Sequence, residues 1–296
     1  MSSDAEMISK AILDLKNNSD FVKDYIFPIC MSFFSALLGA LAGYLLYKRQ
    51  VLVGYEELKF NAAMDVIFKY NSCLNSLVTV KSNYISVQTD DPIQRAMNFH
   101  RLVLTDEKVN EDVLSLSFIL GKPYRKSIWT RKKKTISDEA LSWANVTRVR
   151  TNLSNYNHAL ALLNVRSDRD SEIREILMKT LKQDDPKLKV SNEQILQIIG
   201  KTNMSVYIDL TEQCIALIDM LIQEMHFFLV SFPELANENL NTSLIKHRGS
   251  LPEYKAEKEL YLKLLNPLPK PNVKKMMAIT GMSQSDVEFR YTFGAW

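Results

Sequence analysis

The sequence predicts an all-α protein in which one N-terminal transmembrane helix continues into a cytoplasmic helical bundle. Three observations carry this. Tyr25 to Tyr47 read YIFPICMSFFSALLGALAGYLLY, 23 residues without a charge, closed by Asp24 and Lys48-Arg49. At 1.5 Å per residue the run reaches about 34 Å, enough for a hydrocarbon core of roughly 30 Å. The 296 residues hold only 8 glycines and 9 prolines, too few for the turns of a β fold or the glycine loops of a nucleotide-binding α/β fold. Beyond residue 47, apolar residues recur at three- and four-residue steps, the period of amphipathic helices.

The elements follow in order. Residues 1–24 form a short N-terminal segment with three lysines and five acids, unlike the basic start of a signal peptide. In the span, 25–47, Pro28 falls in the first turn, where its missing N–H costs little. Tyr25, Tyr44 and Tyr47 lie toward the ends, as interfacial aromatics do. Small residues recur every fourth position, Ser35, Gly39 and Gly43 in one row and Ser32, Ala36 and Ala40 in the next. This glycine-zipper pattern lets a second helix approach closely, so the expectation is a homo-oligomer. Lys48 and Arg49 at the boundary, and three scattered cysteines, favour a cytoplasmic C-terminal region, hence a single-pass protein of the inner (plasma) membrane.

Residues 48–236 are expected to be a helical cytoplasmic domain. The helix of the span continues past Gly54, with Phe60, Met64, Ile67, Asn71, Leu74, Val78 and Ile85 on a seam that suits a coiled coil or an ordinary bundle helix. Asp91-Pro92 supplies an N-cap and first position for a helix running to Leu120. Ser137-Asp138-Glu139 opens a helix to about Val165, and a shorter one spans Ser167–Lys182. Ser191 with Gln194 forms a capping box. Asp209–Val230 carries the stripe Leu210, Cys214, Leu217, Ile218, Leu221, Ile222, Met225 and Leu229, with Asp209, Glu212, Asp219 and Gln223 expected largely outside it. Those acids, with Glu224, argue against a second span. Residues 237–296 are expected to be a tail containing Pro and Asn, whose character already changes at Pro233. In it LNPLPKPNVKK acts as a linker, Pro252 opens a short helix through Leu265, and a small helix–turn–helix pivots on Gly281 with Ser283 and Asp286 as cap. The second helix of that pair, SQSDVEF, lacks the basic face of a DNA reader.

Net charge is +3, which gives no general nucleic-acid signal. Cys30, Cys73 and Cys214 show no CxxC spacing, and His100, His158, His226 and His247 no HExxH, so neither a metal site nor a cofactor is expected. The loop GKPYRKSIWTRKKKT concentrates Lys122, Arg125, Lys126, Arg131, Lys132, Lys133 and Lys134 around Tyr124 and Trp129. Such a loop is a solvated connector or a polyanion site, taking lipid headgroups or nucleic-acid phosphates.

Arg95-Ala-Met-Asn-Phe-His100 resembles the Rx4–6H motif of HEPN ribonucleases, which are helical and act as dimers. The resemblance implies His100 as general base toward a 2′-hydroxyl and Arg95 at the phosphate; Ala96 departs from the polar residue usual at that position. The segment DYIFPICMSFFSALLGALAGYLLYKRQ ahead of a helical body is similar to small bacterial membrane-anchored proteins of phage-defence loci, which implies an effector or sensor acting with a protein partner. No GxSxG, GxxxxGK[ST] or paired carboxylates occur. The leading expectation is therefore a non-enzymatic, self-associating membrane protein whose cytoplasmic helical domain binds a partner and signals to the membrane or disrupts it. A membrane-tethered HEPN-like ribonuclease and a structural membrane scaffold are the alternatives.

Overall fold

The structure, a computed structural model, describes residues 3–18, 22–87, 89–101, 108–120, 142–181, 190–254 and 263–291, and no strand occurs among them. They fall into two compact units, Met1–Glu57 and Leu58–Trp296.

The first unit contains α1 (Ser3–Asn18), a π-helical turn (Val22–Ile26) and the beginning of α2 (Phe27–Ser82). In α1, Asp4 and Glu6 occupy the first turn and Lys16 the last, complementing the helix dipole. From Val22 to Leu52 every side chain is exposed. Among the described residues two helices are long and apolar enough to cross a membrane, Val22–Ser82 and the later Lys201–Glu238. They differ in burial: the apolar window of the first is 0% buried, that of the second 61%.

The second unit is a helical bundle, and α2 enters its core at Phe60. The buried positions of α2 include Phe60, Ala63, Ile67, Tyr70, Leu74, Leu77 and Lys81, alternating steps of three and four that Tyr84 continues just beyond the helix, with Val66, Cys73 and Val80 buried beside them. The expected seam shares Phe60, Ile67 and Leu74 with this set, but the face is turned toward Ala63, Tyr70 and Leu77. Met64, Asn71 and Val78 lie at its edge. α2 thus packs as a bundle helix within its own chain.

Next come α3 (Pro92–Asn98), a 3-10 segment (Leu114–Leu120), α4 (Val146–Leu181), α5 (Asn192–Ile199) and α6 (Lys201–Glu238). Asp91 caps α3 as expected, accepting from the N–H groups of Ile93 and Gln94 at 3.0 and 3.1 Å. The helix ends at Asn98, well short of Leu120. Farther on, Asn110 and Asp112 bond the amides of Asp112 and Leu114, and such short polar side chains compete with helical hydrogen bonding. The expected break near residue 166 is absent. α4 runs through it because no Gly or Pro interrupts and because Arg166, Ser167 and Asp170 are buried, where the intrahelical ladder satisfies the backbone. The capping box of Ser191 and Gln194 is present. Gly200, at φ +82°, separates α5 from α6. α6 includes Pro233 and continues to Glu238, so the character of the chain does not change there; Pro233, Leu235 and Ala236 are buried on the bundle.

The tail ends in α7 (Val273–Thr280) and α8 (Gln284–Arg290), with Gly281 in the left-handed conformation and Ser283 capping through the Asp286 amide, as the sequence indicates. Residues 255–262, most of the helix expected from Pro252, lie outside the described residues.

Among the described residues two apolar clusters fill this unit. The larger joins α2 to the first half of α4 and the second half of α6; in it Phe228 stacks on Tyr70 at 3.8 Å and on Phe232 at 4.4 Å, with Trp143 edge-on at 5.0 Å. The smaller joins α3, α5, α7 and α8 to the second half of α4 and the first half of α6. Both long helices pass from one cluster to the other, and polar residues occupy the crossing: Arg166, Ser167 and Asp170 on α4, Thr211 and Glu212 on α6.

Candidate functional site

Two features are candidates, the exposed apolar segment of the first unit and the buried polar layer of the second. In the segment, fourteen large side chains between Tyr25 and Tyr47 are 43–69% exposed. Leaving one such side chain in water costs on the order of 1.5–3 kcal/mol relative to burying it. Ser35, Gly39 and Gly43 share one helix face, and Ser32, Ala36 and Ala40 the adjoining one. A Cβ added at Gly39 or Gly43 meets nothing within 4 Å, so neither glycine is needed by its own chain for close packing.

The polar layer is built on α3, α4 and α6. Arg95 is 1% exposed, and its Nε and Nη2 donate to Glu212 at 2.7 and 2.9 Å. Its Nη1 donates to the carbonyls of Thr89 at 3.1 Å and Pro269 at 2.9 Å. Burial pushes the Glu212 carboxyl up, against the pull of the Arg95 fork. Arg166 donates through Nη2 to the Ala96 carbonyl and the Tyr207 hydroxyl at 2.7 and 2.8 Å, and its guanidinium lies 4.5 Å from the Phe99 ring centre. Burial lowers its affinity for the proton. Tyr207 donates to Asp170, which also accepts from Nε of Arg174 at 2.9 Å. Burial raises the Tyr207 hydroxyl well above its ordinary range.

A second group ties residues 266–269 to the bundle. Lys81, fully buried, lies 2.6 Å from Asp219 and donates to the Asn266 carbonyl at 2.6 Å. The other Asp219 oxygen accepts from the Leu268 amide at 2.7 Å. Burial raises the Asp219 carboxyl, opposed by Lys81. The expected linker is therefore a docked strap, and Glu212 and Asp219, expected outside the apolar stripe, lie within the core because Arg95 and Lys81 neutralise them.

This arrangement can hold helices in register; its charges face one another. Arg95 has its whole guanidinium engaged inside the protein, whereas His100 is exposed and its Nδ1 lies 3.2 Å from Nη2 of Arg174. The arginine beside His100 is thus Arg174, which sequence spacing does not reveal. Burial pushes the Cys214 thiol up to about 12, and Cys73 is buried, so neither suits a thiolate role. Among the described residues no group of three or more His, Cys, Asp or Glu could hold a metal ion. Lys122, Arg125, Lys126, Arg131, Lys132, Lys133 and Lys134 lie outside the described residues. No family model, curated protein or solved structure matches the chain.

Proposed function

We propose that this chain is a single-pass, self-associating membrane protein whose helical domain stands on the cytoplasmic side, binds a protein partner, and signals to the membrane or disrupts it. The observation supporting this reading is the exposure of every side chain from Val22 to Leu52 on a helix whose later turns fill a core. A soluble protein does not leave so long an apolar surface in water. Small residues on adjoining faces of the span offer a second copy a close approach.

The test has two arms. The full chain should stay in the membrane through alkaline carbonate, and a periplasm-only reporter fused after Trp296 should be silent. In detergent, Gly39→Ile with Gly43→Ile should lower the oligomer mass and, on overexpression, reduce dye uptake by cells. Both sites have room for a side chain within one protomer, so this loss cannot be assigned to misfolding of the monomer. An unchanged mass would remove the span from the assembly interface.

A further inference from the structure

We propose that α1 is an interfacial helix, lying along the bilayer surface with one apolar face among the lipid acyl chains. The inference rests on the membrane-anchored reading above. α1 spans Ser3–Asn18, and every described side chain on it is exposed, including Met7, Ile8 and Ile12 at 64, 61 and 60%. At 100° per residue Met7, Ile8, Ala11 and Ile12 share one face, while Glu6 and Lys10 project from the opposite side, where Leu13 is the one large apolar neighbour among the described side chains. Among the described residues nothing of its own chain covers the apolar face.

Its occupant follows from where the chain holds it. The π-helical turn Val22–Ile26 leads straight into α2, so only residues 19–21 separate α1 from the apolar helix. Three residues reach about 10 Å when extended. With the span in a bilayer, the end of α1 stays within about that distance of the surface and its apolar face meets lipid first. A second α1 is the weaker occupant. Sixteen residues hold little more than two heptads, short of the three or four that sustain a coiled coil. Residues 3–18 carry three acids and two lysines, so the attraction is apolar and does not require anionic lipid.

The experiment uses the full chain with Cys30→Ser in phosphatidylcholine vesicles; Cys73 and Cys214 are buried from label. Nitroxides are placed singly through Ile8→Cys, Ile12→Cys, Glu6→Cys and Lys10→Cys, with Leu38→Cys in the span as reference. Ile8 and Ile12 labels should collide more with oxygen than with a water-soluble nickel chelate, and Glu6 and Lys10 labels the reverse. If all four report water while Leu38 reports lipid, the anchor stands and the interfacial helix is overturned. Shielding of Ile8 and Ile12 from both quenchers, with spin–spin broadening, overturns it in favour of a second copy. If Leu38 also reports water, the anchor and the proposal built on it fall together.

Discussion

Truncating Arg95 leaves Glu212 as a buried carboxylate without a cation. Breaking a buried pair from one side costs about 3–5 kcal/mol, so Arg95→Ala should lower the urea midpoint sharply or prevent folding. His100→Ala, at an exposed position, should shift stability by less than about 0.5 kcal/mol. The contrast bears on the ribonuclease alternative. An RNA-cleavage assay on His100→Ala reports on chemistry, whereas loss of cleavage in Arg95→Ala reports only on the fold. Spacing made Arg95 visible as a candidate but carried no information on its partner, because Glu212 lies 117 residues away. Acids at 212 and 219 look solvent-facing in a helical pattern unless their cations on other helices are known.

Caps were the most legible feature at the scale of elements. Asp91-Pro92, Ser191 with Gln194, and Gly281-x-Ser283 each act through residues two or three apart, and each forms where the sequence places it. Helix continuity was less legible: α4 crosses residue 166 for reasons set by burial, whereas α3 stops at Asn98 and short polar side chains bond the backbone farther on. Docking of α7 and α8 depends on Asp209, which accepts two hydrogen bonds from Arg290 and one from Tyr291, all at 2.7 Å. Burial alone would raise the Asp209 carboxyl, but these hydrogen bonds, with one from Gln213, outweigh it and hold the carboxyl below its ordinary value. A depressed carboxylate stabilises the folded form above the unfolded pKa of about 3.9 and loses that contribution as pH falls through the folded value. Hydrogen-exchange protection of Val273–Arg290 should therefore drop on acidification below about 3.9. Asp209→Asn should lower protection at neutral pH and flatten that dependence.

For the molecule as a whole, all-α architecture and an apolar helix near the N-terminus were readable, since composition and period encode both. The division of the core into two apolar clusters across a polar layer was not, because it arises from pairings distant in sequence. The basic loop gives a prediction at this scale. Replacing Lys132, Lys133 and Lys134 by Ser should leave the thermal midpoint within about 2 °C, as consecutive lysines cannot all face a core. Binding of the intact protein to RNA, or of its vesicles to anionic vesicles, should weaken and lose its salt dependence; unchanged binding of both would make the loop a solvated connector. The strap at residues 266–269 has a consequence for biosynthesis. Lys81 must wait 185 residues of synthesis for the Asn266 carbonyl, and Arg95 waits 174 for that of Pro269. A chain emerging at roughly 5–20 residues per second carries these cations for about 10–40 s before the strap exists. The apolar helix near the N-terminus is made long before, so the last step of folding falls late in synthesis, well after that segment has left the ribosome.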